Sequence, residues 1–118
     1  MKRLPGWVYD VGTEPDPRFT LANERTFLAW IRTALALIAA GVALEALNLP
    51  IQPALRRTAA LILLFLGVIV PLLSWVSWGA AERALRQQAP LPGSKVALPV
   101  VVGVSIVGVL LILGVVTQ

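Results

Sequence analysis

Two long uncharged apolar segments constrain the fold of this chain more than any other feature. Residues 58–81 and 96–117 contain no charged side chain, and each is long enough to cross a hydrocarbon core of about 30 Å as a helix. A third apolar segment, residues 26–47, is of similar length but contains Arg32 and Glu45. Because a segment inside a bilayer must satisfy its own backbone hydrogen bonds, all three are predicted to be helical. The chain is therefore predicted to be an all-α integral membrane protein with three transmembrane helices per subunit.

The composition agrees with this class and excludes most others. The 118 residues are 58% hydrophobic and 14% charged, whereas soluble domains are about 45–50% apolar and about 25% charged. The chain contains no cysteine and no histidine, which excludes disulfides, thiolate zinc sites and Cys–His nucleophile pairs. We recognise no metal cluster, cofactor motif or phosphate-binding glycine loop, so no enzyme activity, catalytic residue, metal or cofactor is predicted. Little water-facing surface remains for nucleic acid, which is not expected as a partner.

Charge placement predicts the organisation and orientation of the chain. Residues 1–16 are predicted to be an irregular cytoplasmic tail, and residues 17–118 a single three-helix transmembrane domain. With three spans, the N-terminus shares one side of the membrane with the loop after the second span. That side carries Lys2, Arg3, Arg18, Arg25, Arg83, Arg86 and Lys95. The other side carries only Arg56 and Arg57, so the positive-inside rule places the N-terminus inside and the C-terminus outside.

The first predicted helix carries a stripe of arginine and alanine. Asp16 and Pro17 predict its start, because Asp is a good N-cap and Pro is tolerated in the first turn. Steps of four and three residues then give Arg18, Ala22, Arg25, Ala29, Arg32, Ala36, Ala39, Ala43 and Ala46. Small residues let membrane helices approach closely, so this Arg–Ala stripe predicts tight packing within the subunit or between copies. Arg32 falls roughly 9 Å past the start of the span, and a charge at that depth is a functional candidate.

Two interpretations of the arginines remain open. In the first, Arg18 and Arg25 bind anionic lipid headgroups while Arg32 extends its guanidinium toward the interface. In the second, several copies place the stripes around a shared axis, and rings of arginine line an anion-attracting vestibule. In either case Glu24 is expected to pair with an arginine of a neighbouring helix.

The remaining segments give four smaller predictions. In the second segment, small residues recur every seven positions and predict a groove for another helix; they are Ala60, Gly67, Ser74 and Ala81. Glu82 and Arg86 are four residues apart and are expected to form a weak surface ion pair on a helical extension. Glu45 is expected at a hydrated helix end, with Arg56 or Arg57 as partner. The third segment has no polar cluster and is expected to be an outer, lipid-facing helix.

The run from Ala22 to Thr33, ANERTFLAWIRT, resembles the motif of the YidH-like family of small bacterial inner-membrane proteins, a domain of unknown function. The resemblance covers nearly the whole chain and implies a multi-pass protein of the bacterial inner membrane. The motif is also similar to that of transmembrane subunits in the eukaryotic vacuolar transporter chaperone complex, which makes and translocates polyphosphate. Glu24 and Arg25 match the acid and base of the motif, and Arg18 falls where those subunits also have a basic residue.

The resemblance also guides the functional expectation. The chaperone subunits assemble as a pentamer around a basic pore, which implies a homo-oligomer, and a pentamer in particular, for this chain. The leading hypothesis is a basic-lined conduit for anions or polyanions such as polyphosphate, with Arg18, Arg25 and Arg32 as lining residues and Glu24 as their supporting ion-pair partner. Arg83 and Arg86 would form a cytoplasmic basic cluster. The alternative is a non-conducting scaffold or accessory subunit that binds anionic lipid headgroups and partner helices.

Overall fold

A computed structural model describes residues 3–118, and this part of the chain is helical without any strand. A short helix, α1, spans Gly6–Tyr9, and three long helices follow: α2 over Pro17–Ala46, α3 over Pro53–Arg86 and α4 over Ala97–Val116. The three long helices have the length and apolar composition needed to cross a membrane. The prediction of an all-α fold with three transmembrane helices is therefore confirmed.

Local capping signals fix where α2 and α3 begin. The Asp16 carboxylate accepts a hydrogen bond of 2.9 Å from the backbone N–H of Arg18, and Pro17 occupies the first turn of α2, as predicted. At the start of α3, the side chain of Gln52 accepts a hydrogen bond of 2.9 Å from the backbone N–H of Leu55. Each cap satisfies one of the N–H groups that a helix leaves unpaired at its first turn.

Helix α3 lies between α2 and α4, and no Cα atom of α2 lies within 8 Å of one in α4. The contact between α2 and α3 depends on small residues. A Cβ atom added at Gly67 would lie 2.3 Å from Cγ1 of Ile38, and one added at Gly41 would lie 3.0 Å from the carbonyl oxygen of Ala60. The predicted groove on α3 is therefore confirmed, and the helix that occupies it is α2.

Helix α4 packs on α3 through one narrow face and is otherwise exposed. Gly103 lies against the side chain of Leu66, and Gly114 lies against Ile51. The backbone N–H of Gln52 donates a 2.9 Å hydrogen bond to the carbonyl of Gly114, which ties the far ends of the two helices together. The remaining surface of α4 is almost entirely apolar, as expected of an outer helix.

The helices differ in length, and the difference shows which part of the bundle lies outside the hydrocarbon. The 20 residues of α4 measure about 30 Å, which matches the hydrocarbon core. The 30 residues of α2 and 34 of α3 measure about 45 and 51 Å. The backbone N–H of Lys95, just before α4, donates a 3.3 Å hydrogen bond to Oγ of Ser77. The last residues of α3 therefore extend beyond the start of α4, together with the start of α2. We call this projecting part, with the loop before α4, the basic end.

Replacing Gly67 with alanine is expected to weaken the contact between α2 and α3. The new methyl group would collide with the β-branched side chain of Ile38, and overpacking of this kind costs about 1–3 kcal/mol. Gly108 is a matched control, because a Cβ atom there meets nothing within 4 Å and alanine favours a helix by up to about 1 kcal/mol. Unfolding in detergent micelles, monitored by circular dichroism, measures the stability of both variants. Equal stability of Gly67→Ala and Gly108→Ala would contradict the packing described here.

Candidate functional site

The N-terminal segment docks on the projecting end of α3. Val8 is fully buried, and the Trp7 ring covers Gly79 so closely that a Cβ atom there would lie 2.2 Å from it. The same ring meets Trp75 edge-on, with centroids 6.1 Å apart, and Arg83 donates a 2.6 Å hydrogen bond to the carbonyl of Trp7. The segment expected to be irregular therefore contains the helical turn α1 and is packed against α3.

Arg86 holds the same segment through three acceptors. Its Nε donates to the carbonyl of Val11 at 2.8 Å, its Nη2 to the carbonyl of Tyr9 at 3.1 Å, and its Nη1 to Oε1 of Glu14 at 3.0 Å. The residue is only 7% exposed. The predicted surface ion pair between Glu82 and Arg86 is wrong, because Arg86 turns to the N-terminal segment and Glu82 is buried against α2.

Gly12 allows this segment to close over the end of α3. Its φ of +60° is a left-handed conformation that suits glycine, and a Cβ atom there would lie 2.1 Å from the carbonyl oxygen of Arg86. The backbone N–H of Thr13 donates a 3.0 Å hydrogen bond to the same oxygen. The N-terminal segment thus satisfies a carbonyl that the end of α3 would otherwise leave unpaired.

Glu82 forms a buried polar contact between α2 and α3. It is 1% exposed, and its carboxylate accepts hydrogen bonds from Nδ2 of Asn23 at 3.3 Å and Oγ1 of Thr20 at 3.4 Å. Nδ2 of Asn23 also donates to the carbonyl of Trp78 at 3.0 Å. Asn23, the second residue of the ANERTFLAWIRT run, therefore joins the two helices.

Sequence reasoning missed the face of α2 that carries Asn23. The residues of that face recur in steps of four and three and are buried or half-buried against α3: Asn23, Phe27, Trp30, Ala34, Leu37, Gly41 and Leu44. The Arg–Ala stripe lies roughly 150° around the helix and is exposed, apart from a half-buried Ala43. The signal that could have identified the inner face was the second series of steps of four and three, which is richer in bulky residues.

The three arginines of the stripe are not equivalent. Arg18 pairs with the helix-capping Asp16, Nη2 to Oδ2 at 2.9 Å. Hydrogen bonds from the Arg18 side chain, and then from its backbone, lower the pKa of the Asp16 carboxyl. The exposed side chains of Arg25 and Arg32 form no hydrogen bond or ion pair within residues 3–118. Glu24 is also exposed and has no arginine partner in the described chain, so its pairing with a neighbouring copy stays a prediction.

At the opposite end of the bundle, Glu45 does not pair with Arg56 or Arg57 as expected. Glu45 is exposed and forms no ion pair with any residue that the structure describes. Arg56 instead donates a 2.9 Å hydrogen bond to the carbonyl of Leu49, and Arg57 is exposed. Four charged residues of α2 therefore have no partner in the part of the chain that the structure describes: Glu24, Arg25, Arg32 and Glu45.

Comparisons with known proteins agree on one family. The family described as "Domain of unknown function (DUF202)" matches residues 18–84. An uncharacterised protein of Mycobacterium tuberculosis strain H37Rv is 45% identical over 97 residues, which cover 81% of this chain and 80% of the relative. The inner membrane protein YidH of Escherichia coli strain K12 is 40% identical over 110 residues, which cover 88% of this chain and 96% of the relative. No solved structure matches the chain.

Replacing Asn23 with alanine is expected to destabilise the basic end. The change removes both hydrogen bonds made by Nδ2 and leaves the buried carboxylate of Glu82 with Thr20 alone, at a cost of about 1–3 kcal/mol. Gln87→Ala is the control, because it removes an amide side chain from an exposed position at the same end and should change stability by no more than about 0.5 kcal/mol. Denaturant unfolding in micelles compares the free energies of unfolding of the two variants and the wild type. If both variants unfold like the wild type, Asn23 does not join the helices.

Replacing Arg86 with lysine is expected to release the N-terminal segment while keeping the charge. A lysine cannot reproduce the guanidinium fork that reaches three acceptors at once. Backbone amides of residues 6–13 should then exchange with deuterium about tenfold faster, corresponding to an opening equilibrium shifted by about 1.4 kcal/mol. Arg57→Lys, at an exposed position, should leave that exchange unchanged. Unaltered protection in Arg86→Lys would mean that the arginine does not hold the segment.

Proposed function

The chain belongs to the DUF202 family of membrane proteins, and we propose that it is the subunit of a self-assembled conduit for anions or polyanions such as polyphosphate. Family membership and the three spans make it a multi-pass protein of the bacterial inner membrane. The observation that carries the functional proposal is the exposed Arg–Ala stripe of α2, which neither α3 nor α4 covers.

The cost of exposing Arg32 to lipid favours assembly through this stripe. Arg32 is six residues past Thr26, roughly 9 Å into the span. An arginine at the bilayer centre costs about 2.5–3.5 kcal/mol on insertion scales, and such residues usually face a protein interior or a water-filled cavity. No acidic residue among those that the structure describes pairs with Arg32. A neighbouring copy or a water-filled passage would remove much of the cost, and Ala29 and Ala36 leave room for a close approach.

The spacing of the arginines suits a passage for negative charge. Arg18, Arg25 and Arg32 are seven residues apart, so successive side chains are separated by about 10.5 Å along the helix. In a symmetric assembly they would form three stacked rings, of the kind that attracts anions into a pore. Asp16 already pairs with Arg18, and Glu24 would pair with Arg25 of the adjacent copy. The ring of Arg32 would therefore carry most of the unpaired positive charge.

A scaffold or accessory subunit is the second candidate, and the open face of α4 favours it. Gly108 is exposed, and a Cβ atom there meets nothing within 4 Å. A small residue on an uncovered apolar helix permits close approach by a partner helix. In that function, Arg25 and Arg32 would bind anionic lipid headgroups without forming a pore.

Removing the charge at the stripe is expected to reduce anion flux without breaking the assembly. Arg25→Ala and Arg32→Gln, reconstituted in liposomes, should each conduct chloride or short-chain polyphosphate roughly tenfold more slowly, because each loses a ring of positive charge. Arg57→Gln removes an exposed arginine at the opposite end of the bundle and should conduct like the wild type. Native mass spectrometry of the same samples should give one ring-sized species for all four proteins.

Two results would overturn the conduit. One is wild-type flux in both Arg25→Ala and Arg32→Gln. The other is a monomer or dimer for the wild-type protein released gently from nanodiscs. Reproducible co-purification of a larger membrane protein together with absent flux would favour the scaffold.

A further inference from the structure

The basic end contains a cavity of about 270 Å³ between α2, α3 and the loop before α4. Residues 91–94 of that loop close one side of it. The polar or aromatic residues that line it include Asn23, Thr26, Trp30, Ser74, Ser77 and Trp78. Since one molecule of liquid water takes up roughly 30 Å³, the cavity has room for a chemical group much larger than a single water.

The cavity lies at the level where the membrane interface is expected. The hydrogen bond from the N–H of Lys95 to Oγ of Ser77 fixes the loop against the cavity wall, at the start of α4. Oγ of Ser94 accepts from the backbone N–H of Ala97 and so helps to begin α4 at this level. Ser74 lies one turn further along α3 toward the hydrocarbon. The cavity therefore extends from the headgroup region into the start of the apolar layer.

The chemistry of the wall favours an uncharged group rich in hydrogen-bond acceptors. None of the described residues that line the cavity has an ionisable side chain. Ser74 is 1% exposed, and its Oγ has no hydrogen-bond partner within the part of the chain that the structure describes. The indole N–H groups of Trp30 and Trp78 donate to no described acceptor either. A buried hydroxyl without a hydrogen-bond partner is unfavourable. A carbonyl oxygen of a ligand in the cavity would accept its hydrogen bond.

From this we propose that the cavity binds the glycerol ester region of one phospholipid. Ester carbonyls at this depth would accept hydrogen bonds from Ser74, Ser77 and the two indoles, and the aromatic rings would pack on the glycerol and the first methylenes. The exposed side chain of Lys95 forms no ion pair among the described residues, which leaves it available to the lipid phosphate at the mouth of the cavity. The site is complete within one chain, so it does not depend on the conduit proposed above.

Native mass spectrometry from nanodiscs of phosphatidylglycerol and phosphatidylcholine tests the site. The wild-type protein should keep one phospholipid per subunit under activation that removes the surrounding lipids. Ser77→Leu fills the cavity and should lower the lipid-bound fraction roughly tenfold. Ser105→Leu, on the exposed face of α4, adds the same bulk elsewhere and should retain the lipid. Bound lipid is counted per subunit, so the result is independent of the number of copies.

Ser74→Ala keeps the test valid if Ser77→Leu fails to fold. The Oγ atom of Ser74 has no hydrogen-bond partner among the residues that the structure describes. Its removal should therefore leave the stability in lipid-free micelles unchanged or slightly higher. Retention of the phospholipid should nevertheless fall, because a donor to the ester group is lost. Equal lipid retention by the wild type and by folded Ser77→Leu or Ser74→Ala overturns the proposal, as does a wild type that retains no lipid and holds water alone.

Discussion

The close contact between α2 and α3 is the constraint on which the rest of this structure depends. No Cα atom of α2 lies within 8 Å of one in α4, so α3 is the helix that positions α2 within the membrane. Gly41 and Gly67 let the two helices approach closely. Between membrane helices there is little hydrophobic driving force, so close backbone approach and interhelical hydrogen bonds must provide the specificity. Because one face of α2 packs against α3, the Arg–Ala stripe on the other side of the helix points away from the rest of the subunit.

The charged residues near the membrane boundary fall into two groups with different uses. Glu82 and Arg86 are buried and bonded to partners from elsewhere in the chain, so they stabilise the basic end. Arg25 and Arg32 are exposed and unpaired within the described chain, so they remain available to an anion, a lipid or a second copy. Position in the sequence alone does not distinguish the two groups. The face of the helix on which each residue lies, and the docking of the N-terminal segment, decide whether it is buried or exposed.

Much of the fold could be predicted from the sequence because the bilayer permits few structures. The three spans, the cap at Asp16 and the groove around Gly67 follow from backbone hydrogen bonding, local capping and the need for close helix contact. The prediction of an ion pair between Glu82 and Arg86 was wrong, because the rule for residues four apart considers one helix in isolation. The N-terminal segment could not be anticipated, since it has no hydrophobic period and folds only against the surface that Gly79 provides.

The way Arg83 and Arg86 hold that segment has a consequence for its evolution. Three of their four bonds go to main-chain carbonyls, at Trp7, Tyr9 and Val11, and every amino acid carries such an oxygen. A side chain such as that of Val11 can therefore change while the bond persists. An insertion or deletion between Trp7 and Gly12 would instead shift some of these carbonyls relative to the others, so that the two guanidinium groups could no longer reach all three. The segment should therefore tolerate changes of side chain more readily than changes of length.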